Sequence, residues 1–207
     1  MCAQKSKNSK IIAMLKNPDP AFIATIVPKS SAAFNAVDAE RIEEATIERV
    51  RSAKPLKRCY NNIVFNRFEV PDRLREDYSD AAVRCEQSAI DRLKHMNVYK
   101  KVAQGTAPPY AAKTVLVDGF VEEIHYASAG SRIIFGPLAG RPFMNVRIKL
   151  TDAESRAVIH EKVIATTTNV WFASATGGTS DAYLPVKVGE IIGEYLHAII
   201  PAEPLSN

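Results

Sequence analysis

Apolar and polar positions recur with two different periods after residue 58, and these periods predict the strands and helices. The segment Phe143–Thr151 alternates with a period of two, which predicts a strand with one face in the core and one in water. The same patterns predict a strand, a helix, a strand, a hairpin of two strands and a final helix, over Tyr60–Val70, Arg75–Val98, Thr114–Tyr126, Phe143–Thr151 with Ala157–Val170, and Pro185–Ile200.

Both long predicted helices carry a single apolar stripe. In Arg75–Val98 the stripe is formed by residues spaced three and four apart, namely Tyr78, Ala82, Cys85, Ala89, Leu93 and Met96. A helix with one apolar face buries it against a flat neighbour, usually a sheet. The sequence therefore predicts an α+β fold: a two-layer sandwich of a mixed sheet with about four strands, two long helices on one face, and an additional N-terminal helical segment.

The first 58 residues lack the clear periods of the rest of the chain, which predicts N-terminal segments separate from the main domain. Residues 1–30 are rich in lysine and then interrupted by prolines, which predicts a flexible or irregular tether. Residues 31–58 predict a helical segment and a linker, with the helix over Ser31–Ala53. Residues 59–201 then form the predicted α/β domain, and residues 202–207 form a tail.

Composition fits a globular protein and narrows the function classes only slightly. Hydrophobic residues make up 46% of the 207 residues and charged residues 24%. No apolar run approaches the ~20 residues that span a bilayer. The net charge of +4 is mild, and the basic residues alternate with acidic ones. Nucleic-acid binders carry a denser basic stripe, so no nucleic-acid partner is expected.

The sequence offers no recognisable pattern for catalysis, and no cofactor or metal is expected. The histidines lack ligand spacing; they are His95, His125, His160 and His197. Glu122 and Glu123 are adjacent in a predicted strand, so they are expected to point to opposite faces and not to form a carboxylate pair. Cys59 and Cys85 are not expected to form a disulfide, because the returning helix places Cys85 nearer to Val64.

Two glycine-rich segments, Ala127–Pro142 and Ala173–Asp181, are the predicted functional loops. The first has an apolar tip flanked by arginines, and Trp171 lies two residues before the start of the second. A strand follows the first loop, whereas a phosphate-binding loop opens a helix, so a connection with tight turns is the favoured interpretation. Long loops often carry function, which makes these residues candidates for partner contact: Arg132, Ile133, Ile134, Phe135, Leu138, Arg141 and Trp171.

Cys2 is the candidate for lipid attachment. The start Met1-Cys2-Ala3-Gln4, followed by a lysine- and serine-rich stretch, is similar to the start of a mature bacterial lipoprotein, in which an acylated cysteine precedes a polar tether. The apolar signal that would precede such a cysteine is not part of this sequence. A chance cysteine beside the initiator methionine is the alternative.

The chain from Tyr60 to Ile200 resembles a bacterial family, domain-of-unknown-function family 4410, many of whose members are described as lipoproteins. The resemblance rests on Val115–Ile124, Gly130-Ser131-Arg132, Gly136, Gly140, Val146–Ala153, Val158–Ala165, Gly177-Gly178 and the C-terminal helix. The chain departs from the family at Glu154-Ser155-Arg156, where the family has a Thr-Gly turn, and in Ile133–Phe135, where a second loop arginine is replaced. The resemblance implies a cell-envelope, periplasm-facing setting, often with a lipid anchor, and no activity.

Three functions remain open from the sequence. The leading one is a non-enzymatic envelope protein that binds another envelope protein or itself, anchored to the membrane if Cys2 is acylated. The second is an enzyme with a site between the Gly130 and Gly177 loops, where Arg132, Arg141, Asp181 or His125 would converge. The third is a cytoplasmic nucleic-acid or nucleotide binder that uses Arg147, Lys149 and Lys162 on an open sheet face.

Overall fold

The described strands form one mixed sheet, and the two long helices pack their apolar faces against one side of it. The computed structural model describes residues 40–42, 44–105, 107–126, 142–167 and 180–203, all of them within one unit that begins at Ala39. The strands are β1 (Arg41–Ile42), β2 (Asn62–Phe65), β3 (Lys101–Gln104), β4 (Thr114–His125), β5 (Phe143–Asp152) and β6 (Val158–Thr167). The helices are α1 (Ile47–Arg51), α2 (Asp72–Arg75), α3 (Ala81–Met96) and α4 (Ser180–Ile199).

The sheet order is β1-β6-β5-β4-β2-β3. Strand β2 pairs in parallel with β3 and β4, β5 is antiparallel to both of its neighbours, and β1 pairs in parallel with β6. Every described strand except β5 therefore points the same way. The predicted α+β class and the mixed sheet are confirmed, but the described part of the chain contains six strands where about four were predicted.

The core lies between the sheet and the helices α3 and α4, which we call the helix layer. On β5 the residues Met144, Val146, Ile148 and Leu150 are fully buried, as the alternating pattern predicts. The helix layer buries the matching stripes, with Cys85, Ala89 and Leu93 from α3 and Val188, Ile192, Leu196 and Ile199 from α4. The side of the sheet that carries Met144 and Leu150 is named the helix face, and the opposite side the outer face.

Of the predicted helix over Ser31–Ala53, the described residues are helical only over Ile47–Arg51. Arg41–Ile42 is a strand that pairs with Val163 and Ile164 of β6. Helix α1 begins only at Ile47, after Thr46, whose hydroxyl accepts a hydrogen bond from the Arg49 N–H. A two-residue strand has no periodicity of its own, so its neighbour β6 decides its conformation.

Candidate functional site

The two glycine-rich segments leave the sheet at the same end. Phe143, the first residue of β5, pairs with His125, the last residue of β4, and with Thr167, the last residue of β6. Residues 127–141 join β4 to β5, and residues 168–179 join β6 to α4. Both segments therefore begin or end at adjacent register positions, at an end of the sheet that we call the loop end.

The residues predicted to contact a partner lie in these segments and outside the described residues. They are Arg132, Ile133, Ile134, Phe135, Leu138, Arg141 and Trp171; Cys2 likewise lies outside. Of the residues predicted for an enzyme between the loops, only His125 has a described side chain, and it is exposed at the loop end.

Aromatic side chains form the base of the loop end. The His125 ring stacks on Phe143 with centroids 5.8 Å apart. Tyr126 meets Tyr78 edge to face, with centroids 4.8 Å apart. Tyr78 precedes α3, so this contact ties the helix layer to the end of β4. Such ring pairs add about 0.5–1.5 kcal/mol beyond the area that they bury, and they fix the points from which the segment 127–141 departs.

Glu122 and Glu123 share one face of the sheet, contrary to the sequence prediction. The β4–β5 register shifts between Val121 and Glu123, which leaves Glu122 as an extra residue in a β-bulge. Glu122 binds Arg147, with its Oε1 2.7 Å from Arg147 Nε, and Glu123 accepts a 3.2 Å hydrogen bond from Asn145. Since Asn145 and Arg147 are two apart on β5, both carboxylates lie on the outer face.

The outer face is lined by paired charges. Arg147 binds Glu122 and Glu161, and Lys149 lies 3.8 Å from Asp118, which also accepts a hydrogen bond from Asn66. Each cation therefore already has an anionic partner, which lowers the positive potential available to a polyanion.

Lys162 does not lie with Arg147 and Lys149. It pairs with Ile148 across the β5–β6 ladder, so it is on the helix face at the edge of the sheet, where its Nζ is 2.5 Å from the Glu40 carboxylate. The three cations of the predicted nucleic-acid surface are thus divided between the two faces.

His160 lies beside Lys162 on the same edge and contacts helix α4. Its Nε2 is 2.5 Å from the hydroxyl of Tyr195, which is itself 1% exposed. Burial and the charge of Lys162 lower the pKa of His160 below its usual value, while Glu40 acts in the opposite direction. The neutral imidazole is therefore favoured, and it joins β6 to α4 as a structural contact.

Glu194 is a buried acid that the sequence analysis did not identify. It is 1% exposed on α4 and binds Arg51 of α1 through two hydrogen bonds of 2.9 and 3.0 Å, and it also binds Arg92 of α3. The hydrogen bond from Arg51 and the charges of both arginines outweigh burial and lower the pKa of Glu194 to about 2. One carboxylate thus joins three helices. Its position between Ile191 and Tyr195 on the apolar stripe of the helix was the sequence feature that could have indicated its burial.

Asp152 organises the opposite end of the sheet, which we call the turn end. It accepts hydrogen bonds from the backbone N–H of Glu154 and of Ser155, from the Tyr60 hydroxyl and from Arg58. Burial alone would raise its pKa, but the Ser155 hydrogen bonds, Tyr60 and the charge of Arg58 hold that pKa below its usual value. This carboxylate closes the hairpin turn, as short polar side chains do in turns.

Glu86 on α3 is completely buried and binds neutral groups. One carboxylate oxygen accepts the Phe68 N–H at 2.9 Å, and the other accepts the Gln104 side-chain amide at 2.6 Å. These bonds fasten α3 to the segment after β2 and to the edge strand β3. The sequence analysis missed this residue because it placed Glu86 off the apolar stripe of the helix.

Among the described residues, no group of three or more His, Cys, Asp or Glu side chains could hold a metal ion. Cys59 and Cys85 are both free, as predicted. In the described ranges no helix combines the length and apolar character that a membrane span requires. The shifted pKa values of Glu194 and Asp152 belong to ion-pair and turn contacts.

Comparisons with known proteins show weak likenesses to solved structures. A PelC dodecamer from Paraburkholderia phytofirmans is 14% identical, with 72% of this chain and 96% of that chain covered and a TM-score of 0.49. A protein of domain-of-unknown-function family 330 from Xanthomonas campestris is 11% identical, with coverages of 70% and 91% and a TM-score of 0.46. A neuraminyllactose-binding hemagglutinin homolog from Helicobacter pylori is 12% identical, with coverages of 66% and 87% and a TM-score of 0.34.

No protein-family model matches the chain, and no curated protein matches it. The resemblance to family 4410 therefore stays a prediction. At these levels of similarity the solved structures do not assign a function.

Proposed function

We propose that this protein is a non-enzymatic protein of the bacterial cell envelope whose α+β domain binds another envelope protein through the loop end. One observation carries the proposal: Phe143 pairs with both His125 and Thr167, so the segments 127–141 and 168–179 depart from neighbouring positions. Segments this long are uncommon without a function, and two at one end of a rigid sheet can present a continuous contact surface.

Residue chemistry supports the same end of the sheet. The segment 127–141 carries Ile133, Ile134, Phe135 and Leu138 between Arg132 and Arg141, and the segment 168–179 carries Trp171. Aromatic and arginine side chains contribute most of the binding energy in protein interfaces. The aromatic contacts of His125 and Tyr126 fix the point from which the segment 127–141 departs.

Photo-crosslinking in intact cells of the native host tests this proposal. A photoreactive amino acid at position 135 or 171 is expected to give a discrete crosslinked species whose second component mass spectrometry identifies. The matched control places the same amino acid at Ala112, an exposed residue just before β4 at the turn end. Phe135→Asp should also abolish the crosslink formed from position 171.

Crosslinks of equal yield from position 112, or recovery of uncrosslinked protein from the cytoplasm with both loop probes, would overturn the assignment.

The lipid anchor at Cys2 has a separate test. Intact-mass spectrometry of protein purified from the native host is expected to show an acylated N-terminal cysteine, and an unmodified Met1 would reject the anchor. Each attached CH₂ group contributes about 0.8 kcal/mol to membrane binding, so acylation would also explain an envelope location.

A further inference from the structure

The outward side of helix α3 carries a polar stripe with a positive charge at Arg84 in its N-terminal half and a negative charge at Asp91 in its C-terminal half. Asp80, Arg84, Gln87, Asp91 and His95 are spaced four, three, four and four residues apart, so they follow one line along the helix. Their side chains are exposed, apart from Arg84, which is 37% exposed. This stripe therefore forms one border of the outward surface of the helix layer.

We propose that this surface is a two-fold interface at which α3 packs antiparallel to α3 of a second copy of the chain. A rotation of 180° about an axis between Gln87 and Ser88 places Arg84 opposite the second copy's Asp91, and Asp91 opposite its Arg84. The same rotation places Asp80 opposite His95, an imidazole that can donate a hydrogen bond. The stripe is thus complementary to itself, as an isologous interface requires.

Apolar surface beside the stripe supplies the rest of the contact. A groove between α3 and α4 is lined by Val83, Gln87 and Ser88 on one side and by Val186 and Glu190 on the other. Val83 is 46% exposed and Tyr183, near the start of α4, is 61% exposed. These are two of the three large hydrophobic side chains that are exposed in the described residues, and both lie on the helix layer.

The existing partners of the stripe do not prevent this pairing. Arg84 lies 3.7 Å from Asp80, and Asp91 accepts a 2.8 Å hydrogen bond from Gln87. Exposed contacts within one helix contribute only about 0.3–0.5 kcal/mol each, so they can exchange for contacts with the second copy. Arg92 is engaged with buried Glu194 and stays within its own chain.

The size of the surface sets the expected strength. The 16 residues of α3 extend about 24 Å, and two neighbouring helices provide less than the ~800 Å² per partner of a standard interface. We therefore expect a reversible dimer in the micromolar range. This interface lies away from the loop end, so a negative crosslinking result at the loop end would not contradict the proposed α3 dimer.

Sedimentation equilibrium of the full chain with charge-reversed variants tests the interface. Arg84→Glu and Asp91→Arg each place like charges opposite each other twice per dimer, and each should raise the dissociation constant at least about tenfold. The double variant Arg84→Glu/Asp91→Arg restores opposite charges and should return the constant to within about threefold of the original. Lys57→Glu makes the same charge change as Arg84→Glu at an exposed residue away from α3, and should have no effect.

A disulfide trap gives a second readout that does not depend on the charges. With Cys2 and Cys59 replaced by serine, Gln87→Cys should form a covalent dimer on mild oxidation, because the two copies of residue 87 lie beside the axis. The control Ala112→Cys should remain monomeric. A chain that stays monomeric at about 500 μM would overturn the proposal. So would a dimer whose dissociation constant is unchanged by both single charge reversals, or a double variant whose dissociation constant is as high as those of the single variants.

Discussion

Gly189 of α4 packs directly on the backbone of Cys85 in α3. A Cβ atom built on Gly189 would overlap the Cys85 carbonyl oxygen and stand 2.7 Å from the Ser88 Cβ. One turn later, a Cβ on Gly193 would stand 2.7 Å from the Arg92 Cβ. The two glycines thus let α3 and α4 approach closely, which brings the Ser88 hydroxyl to within 2.7 Å of the Val186 carbonyl oxygen that it donates to.

Gly189→Ala should therefore destabilise the protein by at least about 2 kcal/mol, because the added methyl group meets backbone that cannot move aside. An exposed helical glycine would instead gain about 1 kcal/mol from the same change, so the sign of the effect is informative. Urea unfolding followed by circular dichroism measures it. Gly193→Ala should cost less, because its nearest contacts are side-chain atoms of Arg92 and the closest carbonyl oxygen, that of Ala89, is 3.1 Å away. A neutral Gly189→Ala variant would contradict the close packing.

Glu194→Gln should cost about 2–3 kcal/mol of unfolding free energy, because it removes the charge that binds Arg51 and Arg92 from a buried position. Glu190→Gln is the matched control on the same helix. Glu190 pairs with Lys187 at the surface, 2.9 Å away, and should contribute less than about 0.5 kcal/mol. Equal losses from the two substitutions in chemical denaturation would show that Glu194 is not a structural clamp.

The Glu194 carboxylate should also make stability depend on pH in the acid range. Its pKa is about 2 in the folded protein and near 4.5 in an unfolded chain, so the unfolded state binds the proton first as pH falls. The stabilisation is complete above about pH 4.5 and is lost progressively towards pH 2. Unfolding free energies measured across this range should fall less steeply for Glu194→Gln than for the original protein. Parallel curves would contradict the assignment.

His160 should titrate below its usual pKa of 6.5, because partial burial and the charge of Lys162 both disfavour the protonated ring. Lys162→Gln removes a repelling charge and should raise the pKa of His160, whereas Glu40→Gln should lower it further. An NMR titration of the imidazole C–H signals measures both shifts. Because folding favours the neutral ring, this contact is fully stabilising above about pH 6.5 and weakens below it. Equal pKa values in all three proteins would contradict this arrangement.

Long elements with a clear period were predictable from the sequence, because many residues contribute to each signal. Strand β5 and the stripe of α3 match their expected faces, and α3 begins six residues later than predicted because α2 forms a separate short helix before it. The four-residue strand β3 was missed, since Val102 and Ala103 between polar residues give no pattern by themselves. Its conformation depends on pairing with β2, which the local sequence does not encode.

Single residues that break a pattern were the hardest to predict. The extra residue Glu122 is visible only in the register between β4 and β5. Glu86 lies off the predicted apolar stripe and Glu194 was not identified, yet both are buried because arginines or amide donors from other elements reach them. Whether such residues are buried, and which face they occupy, depends on groups that are distant in sequence but close in the folded chain. The residues predicted for partner contact remain predictions, because they lie outside the described part of the chain.

The pairing of β1 with β6 has a consequence for the order of events during synthesis. Arg41 meets Val163, so among the described residues the first strand has no partner in the sheet until β6 has been synthesised. Contacts between such distant residues form slowly, since a long loop must close first. We therefore expect the β4–β5 hairpin to be able to pair earlier during translation than β1 and β6, so that the β1 edge of the sheet forms late.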